Sequence, residues 1–218
     1  MCIRDRDSKQ VTELRTQSRG RKRINVYLDE EFAFSLDPEV VLRYGLKVGY
    51  ELDNAVLKEL TDADNFRRCL DAAMLYLGYR PRSEAEMRQR LAKRGFNEQS
   101  IGSALARLKE LGMLDDAEFA RFWRDSRQDF SPRSRAMTRI ELKRKGVAEE
   151  IIGQALSDVS DEDSAYRAAR ERARRLIGSD YQTFRRRLGE YLKRRGFGYG
   201  IIKKVVGQLW QETEESTV

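Results

Sequence analysis

One short pattern occurs three times in the chain: Leu91-Ala-Lys-Arg-Gly95-Phe96, Leu142-Lys-Arg-Lys-Gly146-Val147 and Leu192-Lys-Arg-Arg-Gly196-Phe197. The glycines are 51 and 50 residues apart. In each copy an Ile follows the Gly by six (Ile101, Ile152, Ile202) and an apolar residue follows that by four (Leu105, Leu156, Val206). A period of this length is the mark of tandem supersecondary units, each too small to bury its apolar face alone. The unit has a physical reading. A helix ends with its Leu turned inward and its Lys and Arg near the negative end of the dipole. Gly then takes the left-handed conformation, and the next apolar residue docks back.

The expected fold is therefore mainly α: three tandem three-helix repeats of about 50 residues in an elongated, curved array. They are placed over residues 64–114, 115–160 and 161–212. The first helices are expected at Phe66 to Leu77, Asp116 to Gln128 and Asp163 to Ile177. Ser83 with Glu86 and Asp115 with Glu118 have capping-box spacing, and Asn97 and Asp180 suit N-caps. Residues 1–63 read differently. Ile24, Val26 and Leu28 alternate with polar positions, the acidic turn Asp29-Glu30-Glu31 follows, and Phe32, Phe34 and Leu36 alternate again. This predicts a small β-hairpin or meander, with Val11 to Leu14 as a third strand and a short helix over Pro38 to Tyr44. A basic stretch runs from Arg19 to Arg23. Residues 213–218 read as an acidic tail, and Met1 to Arg6 show no period.

Composition removes most chemistry. The 218 residues include no histidine, which excludes Ser-His-Asp and Cys-His mechanisms and the usual zinc and non-haem iron ligand sets. Two cysteines, Cys2 and Cys69, cannot make a disulfide framework and suit a reducing compartment. No apolar run approaches the roughly 20 residues of a membrane span, and the first residues are charged where a signal peptide is apolar. No Walker loop, GxGxxG or HExxH motif is present. The expectation is a cytoplasmic, monomeric protein with no catalytic residues, no metal and no cofactor.

Charge is unevenly spread. The net charge is +7, yet residues 1–64 carry 11 Lys and Arg against 13 Asp and Glu. Residues 163–210 carry 13 against 4, or +9. Each repeat places a basic cluster on the same turn: Arg88, Arg90, Lys93 and Arg94; then Arg139, Lys143, Arg144 and Lys145; then Lys193, Arg194 and Arg195. Complementing the helix dipole accounts for part of this. Arg185-Arg186-Arg187 and Lys203-Lys204 exceed that need and point to a polyanionic or acidic partner. The loops Tyr79-Arg80-Pro81-Arg82-Ser83 and Phe130-Ser131-Pro132-Arg133-Ser134 each place an arginine at a helix start, where an anion could be received. Asp115 with Asp116 reads as a cap and a first-turn acid, not a catalytic pair. Trp123 and Trp210 read as core residues.

The stretch Tyr79 to Phe96, then Leu111-Gly-Met-Leu-Asp-Asp-Ala-Glu-Phe-Ala120, then Lys145-Gly-Val resembles the RecX family of bacterial recombination regulators. The resemblance covers about Asp64 to Trp210; the hairpin in front resembles an N-terminal extension that some members carry. It implies a non-enzymatic protein that binds in the groove of the RecA recombinase filament on DNA. There it would suppress ATP hydrolysis, strand exchange and coprotease activity, and promote filament disassembly. The residues expected to meet RecA and DNA are Arg82, Arg88, Arg90, Lys93 and Arg94 in the first repeat, and Arg133, Arg135, Lys143, Arg144 and Lys145 in the second. Arg185, Arg186, Arg194, Arg195, Lys203 and Lys204 are those of the third. DNA contact is expected to be weak, phosphate-type and salt-sensitive. The alternative is a helix-turn-helix-like protein that acts directly on duplex or single-stranded DNA.

Overall fold

The computed structural model describes residues 8–18 and 23–215. Met1 to Arg6 and most of the Arg19 to Arg23 stretch lie outside them. The chain divides into two compact units, Met1–Arg80 with Met87–Met113, and Pro81–Glu86 with Leu114–Val218.

The first unit begins with an antiparallel sheet. Its strands β1 (Ser8–Thr16), β2 (Ile24–Leu28), β3 (Glu31–Leu36) and β4 (Glu51–Asp53) stand in the order β3-β2-β1-β4. The strand β4 was not foreseen: three residues are too few to show an alternation. The β2–β3 turn puts Asp29 and Glu30 at φ 49° and 70°, the left-handed pair that a two-residue hairpin requires. Local bonds hold this strained turn. The Gln10 N–H donates to Asp29 Oδ1 at 3.1 Å, and the Glu30 N–H to Thr12 Oγ1 at 2.9 Å.

Helix α1 (Pro38–Arg43) follows, capped by Asp37, and then α2 (Asn54–Tyr79), capped by Asp53. Val11, Val26, Leu28, Leu36, Val40 and Leu52 form the sheet's core with Leu60 of α2. The expected helix Phe66 to Leu77 is thus only the second half of a 26-residue helix, and the division at 63/64 falls inside it. The Asp53 cap sets the early start, and Asp64, in the middle of the helix, is buried. It accepts from Arg23 Nη2 at 2.7 Å and from the Asp37 N–H at 2.8 Å, tying mid-α2 to the sheet. Helices α3 (Glu84–Lys93) and α4 (Glu98–Glu110) complete the first repeat, burying Met87, Leu91, Ile101, Leu105 and Leu108 with Cys69 and Ala73 of α2.

The second unit holds α5 (Asp116–Phe130), α6 (Arg135–Arg144) and α7 (Glu149–Ala155), then α8 (Asp161–Arg174), α9 (Tyr181–Arg194) and α10 (Tyr199–Glu215). Helix α8 starts two residues before the expected span, where Ser160 accepts from the Asp163 N–H, and ends three before it. The expected tail begins inside α10. Phe119, Leu142, Ile152 and Leu156 centre one core; Phe184, Leu188, Leu192, Val206 and Leu209 centre the other. The caps Asn97, Asp115 and Asp180 all accept main-chain N–H bonds.

The repeated glycines behave as the pattern requires. Gly95, Gly146 and Gly196 have φ of 88°, 77° and 86°. Phe96, Val147 and Phe197 each donate back to the Leu carbonyl five residues earlier, closing Schellman turns. Their surroundings differ. A Cβ at Gly95 would meet nothing within 4 Å, whereas one at Gly146 would lie 2.4 Å from Ala85 Cβ. Gly95→Ala is expected to cost about 1 kcal/mol, the left-handed penalty alone. Gly146→Ala adds overpacking and is expected to cost about 2–4 kcal/mol, measured by urea denaturation. Cys69 gives a second check. Burial pushes its thiol from 9.0 up to about 11. In a Cys2→Ser background a thiol reagent at neutral pH should label Cys69 only as fast as the protein opens. Because the folded thiol holds its proton more tightly, this group's contribution to stability is present below pH 9 and declines as pH rises towards about 11.

Candidate functional site

In the second unit the Gly turns of two repeats seat on helix starts. The Ser83 Oγ–H donates to the Lys145 carbonyl at 2.6 Å while accepting from the Glu86 N–H at 3.1 Å. Correspondingly, the Ser134 N–H donates to the Arg195 carbonyl at 3.1 Å. Each Pro-Arg-Ser start thus receives the residue that precedes the next repeat's glycine, and Gly is needed because the backbones approach so closely.

Around these junctions four of the expected cations are engaged within the fold. Arg82 is only 7% exposed and bonds Glu86 at 2.9 Å. Lys145 reaches the same carboxylate at 3.7 Å and lies 5.0 Å from the Trp123 ring. Arg133 pairs with Glu141, which also accepts from Trp123 Nε1 at 2.8 Å and Arg127 Nε at 2.7 Å. Arg195 donates to the Pro132 carbonyl at 2.9 Å and Ser131 Oγ at 3.1 Å, over the Tyr191 ring. The arginines of the two Pro-Arg-Ser loops are therefore each charge-paired within the fold. Carboxylates four and eight residues on neutralise them.

Position within the pattern sorts the remaining cations. Two residues after the Leu stand Lys93, Arg144 and Arg194, exposed and without an ion pair among the described residues. One residue further, Arg94 rests over Tyr76 at 5.9 Å, beside Arg90 at 5.5 Å, whereas Lys145 and Arg195 enter the junctions. Arg135 is exposed, its main-chain N–H held by Asp161. Lys204 pairs with Glu162 at 2.6 Å. Arg185, Arg186 and Lys203 are exposed and unpaired.

A second comparison concerns the cleft between the last two helices of each repeat. In the first repeat Arg88 pairs with Glu98 across it. In the second, Glu149 takes Lys143 at 3.0 Å and Arg139 at 3.3 Å, and the Lys143 hydrogen bond helps hold its carboxyl below the ordinary range. At the same positions the third repeat has Gly189 and Tyr199. No bridge forms, and a groove of about 1000 Å³ opens between α9 and α10. Arg185, Arg186, Lys193 and Lys203 line it with Tyr181 and Tyr199. Sequence reasoning missed the two tyrosines and the groove, although aligning the repeats shows the lost Arg and Glu. No group of His, Cys, Asp and Glu among the described residues could hold a metal ion, and no described helix is long and apolar enough to cross a membrane.

Comparison with known proteins follows the same division of the chain. Residues 9–53 match the family described as the regulatory protein RecX N-terminal domain. Residues 69–108, 115–156 and 160–206 match the first, second and third three-helix domains of RecX. A regulatory protein RecX of Clostridium botulinum (strain Alaska E43 / Type E3) is 32% identical over 202 residues, covering 90% of this chain and 94% of that protein. The chain belongs to the RecX family. One of Bacillus subtilis (strain 168) is 29% identical, covering 95% of this chain and 80% of its own. The RecX fold is shared with a crystal structure of regulatory protein RecX at TM-score 0.67 and 22% identity, covering 90% and 98% of the two chains. RecX from Lactobacillus salivarius follows at TM-score 0.57 and 23% identity, covering 67% and 97%. The resemblance read from the residues and the mainly α repeat fold both hold.

Two adjacent arginines test this sorting. Arg195→Ala removes two bonds and a ring contact at a RecX repeat junction, and should cost about 1–2 kcal/mol. Arg194→Ala should stay within about 0.5 kcal/mol. Thermal melting of the two variants measures the contrast.

Proposed function

We propose that this RecX-family chain regulates the RecA recombinase by lying in the groove of the RecA–DNA filament, without chemistry of its own. There it suppresses ATP hydrolysis, strand exchange and coprotease activity, and promotes disassembly. One observation carries this reading beyond the family: Lys93, Arg144 and Arg194 recur at one position of the repeat, exposed and unpaired. A fold has no need to keep the same cation unneutralised three times, but a polyanionic or acidic surface with its own repeat does. Several weak contacts spread over linked repeats add through effective concentration, so no single deep pocket is required.

The acting form is a cytoplasmic monomer. Its DNA contacts are phosphate-type, since these cations sit at helix C-terminal turns and present no set of base-reading side chains. This disfavours the helix-turn-helix reading.

The test is DNA-dependent ATPase of purified RecA titrated with this protein. Hydrolysis is expected to fall as protein is added. A triple reversal, Lys93→Glu with Arg144→Glu and Arg194→Glu, should need about tenfold more protein or worse for the same inhibition, with its melting unchanged. Undiminished hydrolysis at saturating protein refutes the proposal.

A further inference from the structure

The groove of the third repeat has the chemistry of a strand-binding site. In the first two repeats the corresponding cleft is crossed by Arg88–Glu98 and by Arg139 and Lys143 on Glu149. Replacing the Arg by Gly189 and the Glu by Tyr199 changes three things at once. The bridge is gone, Lys193 loses the carboxylate that its counterpart Lys143 holds, and an aromatic ring stands at the rim. Tyr199 is 72% exposed.

Both walls are cationic. Helix α9 supplies Arg185, Arg186 and Lys193, and α10 supplies Lys203; none has an ion-pair partner among the described residues. Asp180 and Glu190 are the carboxylates of the lining, and Asp180 is occupied in capping Thr183 at 3.0 Å. The floor is aliphatic, formed by Ile202 and Val206. Tyr181, which also lines the groove, is held edge-on to Trp210 near the end of α10 at 5.3 Å, and Trp210 packs likewise on Phe184 at 5.2 Å. That ring is therefore a fixed platform anchored in the core.

We infer that this groove binds a single-stranded nucleic acid, its phosphates on Arg185, Arg186, Lys193 and Lys203 and its bases stacked on Tyr199 and Tyr181. Unpaired cations along a channel with exposed ring faces are the recurrent means of holding a strand without reading its sequence. A duplex hides its base faces and leaves the tyrosines unused. An acidic protein segment would meet the cations but has no need of two rings. The site goes beyond the filament reading, which requires repeated cations but no strand held in the third repeat.

The experiment is fluorescence anisotropy of a labelled oligodeoxythymidylate with the full chain. The wild type should bind, with affinity falling steeply as salt rises. The double variant Gly189→Arg with Tyr199→Glu rebuilds the bridge of the other repeats at unchanged net charge. A Cβ at Gly189 meets only Ile202 Cγ2 at 3.6 Å, an ordinary contact, so the helix accepts it. This variant should lose at least about tenfold in affinity while melting no lower than wild type. Independently, Tyr199→Ala should weaken binding about tenfold and Tyr199→Trp should retain it, which keeps the inference testable if the double variant folds poorly. Absence of binding by wild type at low salt, wild-type affinity in Tyr199→Ala, or equal binding of duplex overturns it. So does displacement by polyglutamate as effective as by unlabelled oligonucleotide at equal charge, the outcome expected of an acidic protein ligand. Running the RecA ATPase assay on the same variants separates the readings: a variant that loses the strand but still inhibits RecA leaves the filament proposal standing.

Discussion

A main-chain carbonyl just before a left-handed glycine, seated on a serine that starts another helix, is the contact on which the second unit depends. It occurs as Lys145 on Ser83 and as Arg195 on Ser134. A helix's last carbonyls lack intrahelical partners and its first N–H groups lack them too. Bringing one repeat's end to another's beginning gives that carbonyl a donor, the Ser83 hydroxyl in one junction and the Ser134 N–H in the other. Only glycine permits the approach, since a side-chain carbon at Gly196 would lie 2.6 Å from Ser134 Oγ. The helices joined this way are short, α7 spanning only Glu149–Ala155, and such helices persist through packing and not through propensity.

That contact also divides the basic residues by role. The residue whose carbonyl is seated carries its side chain into the junction, so Lys145 and Arg195 serve the fold. Its predecessor points outward, so Arg144 and Arg194 are left to solvent. Adjacent cations therefore have different surroundings. Repeat 1 has no three-helix repeat before it, and there Arg94 lies over Tyr76 while Gly95 faces open space.

Much of this was legible in the residues. The Leu-to-Gly spacing specified the Schellman turns, Asn97, Asp115 and Asp180 specified helix starts, and the alternation from Ile24 to Leu36 specified the hairpin. Each is a local rule that acts over a few residues. What was not legible depends on which side chains the fold brings together. Asp64 gave no sign that Arg23 and the Asp37 N–H would meet it and tie α2 to the sheet. Arg82 and Arg133 gave no sign of their pairing, because Glu86 and Glu141 are ordinary helix-surface acids in the sequence. The groove was partly visible, since the loss of Arg and Glu at Gly189 and Tyr199 can be read by aligning the repeats; that those positions face each other cannot.

By itself, then, the sequence determined the repeat, its turns, the family and the exclusion of histidine chemistry, because periodicity, left-handed glycines and composition are properties of the chain. The tertiary structure alone decided which cations are spent within the fold and which are presented, and it opened the third cleft while closing the first two. Ion pairing in a folded protein is a matter of distance through space. The partners here lie up to 59 residues apart, as Lys145 and Glu86 do, and no local rule reaches that far.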